Sequence, residues 1–174
     1  MEKVKALSLT AILGALANVL AFPPVAIPIA IGSFESSIHF SQIPIFLCGV
    51  LVGPLYGLLV GAVGGFFMAA FRPGIPFIFG GLALLGLTNG FLVKKLRPSF
   101  SGILAWGIQA PYVVVTDYVW FTLFMERTPG VTWGILTTIM VKLTIEAVIS
   151  AVLTDIIVHS IKKSGMFQVE HMST

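Results

Sequence analysis

Three charged side chains stand where an apolar chain has least room for them: Asp117, Lys142 and Glu146, each inside a run dominated by Val, Ile, Leu and Thr. A charge within lipid costs on the order of 3 kcal/mol on insertion scales, so each must face a protein interior or a wet cavity. Lys142 and Glu146 are four residues apart, share a helix face and can neutralise each other. Helical rise puts Lys142 roughly 16 Å and Asp117 roughly 12 Å from one turn, depths at which Asp117 can join the pair. The trio reads either as an ion pair joining two spans or as a ligand-binding group. A further chemistry, acid–base catalysis by Asp117 and Glu146 in a small membrane enzyme, predicts turnover by the isolated chain.

Around those charges lie the amides Asn89 and Gln109 and the rings of Phe77, Tyr112, Trp120 and Trp133. Aromatic faces with a few directed polar groups suit a flat heterocycle. The same residues have plainer roles: tryptophan anchors helices at the membrane interface, and amides join helices by hydrogen bonds. Glu35 and His39 sit near the tip and the end of a long apolar connection that is expected to fold back over the cavity, which makes them candidate ligand contacts as well.

The elements that position these groups follow from composition and punctuation. Apolar residues make up 57% of the 174 residues and charged ones only 10%, where a soluble domain would carry roughly 25% charged. An all-α integral membrane protein of one domain results, residues 1–163, with a loose tail at 164–174. Six transmembrane helices are expected at 7–22, 40–52, 55–71, 75–93, 101–125 and 131–161. Pro23, Pro24 and Pro28 forbid a regular helix between the first two, leaving 23–38 as a long connection and a lid. Gly49, Gly53, Gly57, Gly61 and Gly65 recur every four residues and are expected to pack the second span on the third. Pro111 falls inside the fifth span, where it is expected to kink the helix. Ala11, Gly14 and Ala15, with Asn18, form a smooth patch on the first helix for a neighbouring helix or a partner protein.

Six spans put both termini on one side. Lys3, Lys5, Lys94, Lys95, Arg97, Lys162 and Lys163, seven of the ten basic residues, then fall together, and the positive-inside rule makes that side cytoplasmic. Ala15-Leu16-Ala17 has the small-x-small form of a signal-peptide cleavage site, but no polar mature segment follows it.

Several chemistries are excluded. The single cysteine, Cys48, allows neither an internal disulfide nor a cysteine-based metal cluster, and no metal or cofactor is expected. Phosphate-binding glycine loops, HExxH and GxSxG are all missing from the sequence, so it encodes neither ATP hydrolysis nor those hydrolase mechanisms. No basic patch supports binding of nucleic acid.

Ala11-Ile-Leu-Gly-Ala15, the apolar first loop, and FSQIP followed by GPLYG resemble the substrate-binding S component of energy-coupling factor (ECF) transporters, over about residues 4–163. FSQIP is most similar to the riboflavin-type branch, and the N-terminal histidine motif of the cobalt and nickel branch is missing. The resemblance implies six helices with cytoplasmic termini in the plasma membrane and capture of a vitamin, riboflavin-like as a first assignment, beneath the first loop. It implies toppling of the protein in the bilayer on a transmembrane scaffold (T) subunit driven by two ATPase subunits, with Ala11 and Ala15 matching the AxxxA position that meets that scaffold. A structural membrane assembly protein, the remaining alternative, predicts no ligand.

Overall fold

A computed structural model of the chain describes residues 3–22, 25–31, 34–71 and 75–164. Helix α1 (Lys3–Ala21) leads into strands β1 (Ile27–Ile31) and β2 (Phe34–Ile38), then helices α2 (Gln42–Leu51), α3 (Pro54–Phe71), α4 (Ile78–Leu92), α5 (Pro98–Val119) and α6 (Pro129–Lys163). A π-helical turn, Trp120–Phe124, continues α5. The expected turn at 72–74, the tail beyond Ser164, Pro23, Pro24, Gly32 and Ser33 lie outside the described residues.

Proline opens three of the helices: Pro54, Pro98 and Pro129 each stand at a helix start, where the missing N–H is not needed and φ is already helical. Gly53 reverses the chain before Pro54 with φ of 119°, a conformation that favours glycine. Lys3–Ala21 and Pro129–Lys163 are each long and apolar enough to cross a membrane. Helix α2, with ten residues, is about 15 Å long and cannot cross the roughly 30 Å of hydrocarbon alone. Large apolar side chains such as Ile12, Phe66, Val115, Val141 and Ile145 point outward, as lipid rather than water requires.

One expectation is refined and one corrected. Within the expected long connection, residues 27–31 and 34–38 form a ribbon: β1 and β2 pair antiparallel, with Ile27 opposite Ile38 and Ile31 opposite Phe34. Alternating isoleucines favour the extended chain, and Pro28 is accommodated because both strands of a two-stranded ribbon are edges. The glycine ladder, secondly, chiefly seals α3 to α4. A Cβ on Gly57 would fall 2.5 Å from the Gly86 carbonyl oxygen, and those on Gly61 and Gly65 would strike Leu82 and Phe79. Four-residue spacing identifies a smooth face but not its neighbour. That neighbour is α4, whose Gly86 and Gly90 supply a matching smooth face against Gly57 and Pro54.

These contacts define two ends. At one lie the hairpin, the starts of α2, α4 and α6, and the π-turn; at the other lie the α2–α3 and α4–α5 turns and the end of α6, with exposed Lys94, Lys95, Arg97 and Lys163. The start of α1 shares the second end, since Thr10 approaches Cys48 at 3.9 Å while Ala17 meets Gly64 further along.

Candidate ligand site at the hairpin end

Asn89 and Gln109, two amides buried among helices, have opposite surroundings. The Asn89 side-chain N–H donates to the Phe46 carbonyl at 3.0 Å, and the Ser101 hydroxyl lies 2.8 Å from both Asn89 Oδ1 and the Asn89 carbonyl. Asn89 therefore clamps α2, α4 and α5 in the half away from the hairpin, with its amide oxygen and nitrogen both engaged. In the same half Ser99 donates to Asp155 at 2.7 Å, while Trp106 Nε1 donates to Thr144 at 3.1 Å roughly level with Gln109. Gln109 is also deeply buried, yet among the described residues its Oε1 accepts no hydrogen bond; the same holds for Gln42 Oε1 at the start of α2.

Helical register puts those two amides in one layer. Phe46 and Ala151 both meet Gly102, which fixes a common level for α2, α5 and α6. Counting toward the hairpin at 1.5 Å per residue, Gln42 stands roughly 6 Å, Glu146 roughly 7.5 Å and Gln109 roughly 10 Å above it. Glu146, with no exposed surface, accepts the His39 backbone N–H at 2.7 Å through Oε1, and Lys142 Nζ lies 3.5 Å from the same oxygen. The buried His39 ring meets the Ser41 hydroxyl through Nδ1 at 3.0 Å. A polar layer thus crosses an otherwise apolar bundle, and leaving a buried amide oxygen unmatched costs about 1–3 kcal/mol.

Nearer the hairpin end the lining is aromatic. Phe77 and Trp120 meet edge to face with centroids 6.0 Å apart, and Trp120 stacks on Phe124 at 4.8 Å. Tyr112 donates to the Phe77 carbonyl at 3.3 Å, fixing the start of α4 against α5. The π-turn sets Trp120 in this group, and its indole N–H is buried without an acceptor; π-turns inside helices recur at functional sites. Thr132 Oγ, also buried, has no hydrogen-bond partner among the described residues.

Asp117 does not join Lys142 and Glu146, contrary to expectation. It is 6% exposed, and its carboxylate has no ion pair or hydrogen bond among the described residues. Tyr118 packs on Trp133 at 5.3 Å, so Asp117 lies level with Trp133, thirteen residues and roughly 20 Å from Glu146 along α6. The antiparallel register of α5 and α6, also shown by Trp106 and Thr144, is the physical reason. Depths counted separately from the turn did not reveal it. An acid–base pair of Asp117 and Glu146 acting on one bond is therefore not formed.

The remaining candidates divide by position. Trp133 is 53% exposed on the flank of the bundle. Glu35 pairs with Ala30 in the hairpin, and its side chain lies outside the described part. On α1, Ala11 and Ala15 face outward, whereas Gly14 is buried against Val63 of α3 and is no part of an exposed patch. Asn18 also turns inward, donating to the carbonyls of Gly14 and Val63 at 2.9 and 3.3 Å. Gln42 and Thr132, whose buried atoms are unmatched among the described residues, are not among the candidates expected from the sequence. Gln42 carried the same signal as Gln109, an amide in an apolar run, but stood at a helix start; a threonine such as Thr132 gives no such signal. No group of three or more His, Cys, Asp or Glu among the described residues could hold a metal ion.

Six apolar helices around a buried polar layer, open to aromatic rings at one end, define a membrane-embedded binding protein. Residues 1–163 match the family described as ECF-type riboflavin transporter, S component, and the chain belongs to that family. The fold is similar to that of a solved S component for biotin from an ECF-type ABC transporter, with a TM-score of 0.66 and 22% identity over 92% of each chain. A comparison with curated proteins finds no match. As an ECF S component, the chain is an integral plasma-membrane protein that binds a vitamin and works in its uptake with a T scaffold and ATPase subunits.

Proposed function

We propose that the vitamin is riboflavin, bound at the hairpin end between the β1–β2 ribbon, α2, α4, α5 and α6. The buried, unpartnered acceptors of Gln42 and Gln109 beneath an aromatic wall carry this reading. Riboflavin is a flat, uncharged tricycle with one imide N–H and several ribityl hydroxyls. Its ring suits the faces of Phe77, Tyr112 and Trp120, and its donors suit the two amide oxygens and the Asp117 carboxylate, which otherwise bears the cost of burial without a partner. Lys142 supplies a donor for a ring carbonyl.

In this reading the hairpin end faces outward, as the basic residues at the opposite end require, and the ribbon with Glu35 and His39 covers the bound vitamin. Ala11 and Ala15 present the smooth face that meets the T subunit. The protein binds and releases without chemical turnover and needs no cofactor.

The test is ligand identity. Protein purified in mild detergent is denatured and its small molecules identified by mass spectrometry; riboflavin and biotin are then titrated against tryptophan fluorescence. One riboflavin per chain, recovered unchanged, with no response to biotin, is the expected result. A folded protein that binds neither on purification nor on titration sinks the assignment, and binding of biotin alone redirects it.

A further inference from the structure

We infer that Glu146 is a positioning residue: its carboxylate, reaching across from the middle of α6, holds the foot of the β1–β2 hairpin in register with the buried polar layer. The inference rests on the hairpin end being the ligand site. His39 is the first residue after β2, and its N–H meets Glu146 Oε1 at 2.7 Å although 107 residues separate them. A carboxylate accepting a backbone N–H is a charge-assisted bond, roughly twice as strong as a neutral one. The start of α2 is not secured in the usual way, since Ser41 makes no side-chain capping bond. Its hydroxyl instead meets the His39 ring at 3.0 Å. Strand β2 packs on α6, so the bond from Glu146 falls where the ribbon turns into the bundle.

Lys142 gives this bond a second function. Lys142 stands one helical turn nearer the hairpin end on α6, and its ammonium lies 3.5 Å from the oxygen that holds His39. Attraction between Lys142 and Glu146 orients the carboxylate. A ligand that draws the ammonium away changes the field on the oxygen holding the ribbon. Occupancy of the layer and seating of β2 thus share one atom. Glu146 acts on the ligand through β2, and Gln42 and Gln109 touch it directly.

Two conservative variants separate reach from charge. Glu146→Gln keeps an oxygen at the same distance from the His39 N–H and loses the charge; Glu146→Asp keeps the charge and withdraws the oxygen by one methylene. Hydrogen–deuterium exchange over residues 34–41 of the vitamin-free protein, and the dissociation rate of riboflavin, are read for both. Glu146→Asp is expected to speed exchange there and raise the dissociation rate about tenfold or more, while Glu146→Gln, which keeps a neutral and weaker bond to the His39 N–H, raises both by about threefold. The opposite ranking assigns Glu146 to ligand charge and overturns the inference, as do equal changes in both variants or none in either. Exchange in the vitamin-free protein does not depend on which vitamin binds, so failure of the riboflavin assignment and failure of this one remain distinct.

Discussion

The two halves of the bundle use similar polar residues to different ends. Away from the hairpin, Asn89 and Ser101, and Ser99 and Asp155, answer one another within hydrogen-bond distance. Toward the hairpin, Gln42, Gln109, Trp120 and Thr132 present buried atoms that no side chain or backbone group among the described residues meets. A bilayer gives no water to satisfy them. On the proposed reading the half away from the hairpin, although Ser150 Oγ there is unmatched among the described residues, is chiefly a frame, and the half toward the hairpin is built for a guest that brings its own donors and acceptors.

Disrupting the frame has the largest expected effect. Gly61→Leu places a side chain where the Leu82 carbonyl already stands; a loss of about 3 kcal/mol or more, enough to abolish a folded monomer in detergent, is expected from overpacking against backbone that cannot yield. Size-exclusion chromatography shows it, and a monodisperse, normally melting variant would deny the seam between α3 and α4.

The two amides sharpen the comparison most directly. Asn89→Leu removes the bond to the Phe46 carbonyl and one of the two acceptors of the Ser101 hydroxyl, so thermal unfolding should show a loss of about 2 kcal/mol, with unaltered riboflavin affinity in the folded fraction. Gln109→Leu should do the reverse, leaving stability equal or higher while affinity falls about tenfold, or about 1.4 kcal/mol. If both variants lose stability and neither loses affinity, the distinction between frame and site is wrong. Asp117→Asn keeps a polar group beside the aromatic wall, where titration should show about three- to tenfold weaker binding, the loss of a charge-assisted hydrogen bond to a ligand hydroxyl.

The smallest effect lies at the turn between α5 and α6. Glu126 adopts φ of 51°, and the next N–H, that of Arg127, returns to the Phe121 carbonyl at 2.9 Å. This is the left-handed helix end at which glycine is usual. Glu126→Gly should raise stability by roughly 0.5–1 kcal/mol, read as a higher melting temperature with unchanged binding. A lower melting temperature would show that the side chain of Glu126 contributes more than its backbone conformation costs.

Much of this molecule was legible in its residues. Composition and proline placement predict six helices and a short α2, because apolar length and helix punctuation are local properties; Pro54, Pro98 and Pro129 mark their helix starts without reference to any neighbour. FSQIP and the AxxxA of α1 pointed to the family that residues 1–163 match. The hairpin was less legible, since prolines at 23, 24 and 28 rule out helix and do not specify what replaces it.

Tertiary structure decided which groups meet. Glycine spacing showed a smooth face on α3, and only packing assigned α4 as its chief partner. Depth counting put Asp117 beside Lys142 and Glu146; the register of α5 on α6 put it level with Trp133. Asn89 and Gln109 were equivalent as amides in apolar spans, and the difference between them is whether Phe46 and Ser101 stand opposite. A side chain's type and depth are local. Whether its hydrogen bond is answered depends on residues tens of positions away, and in a solvent without water that answer separates scaffold from binding site.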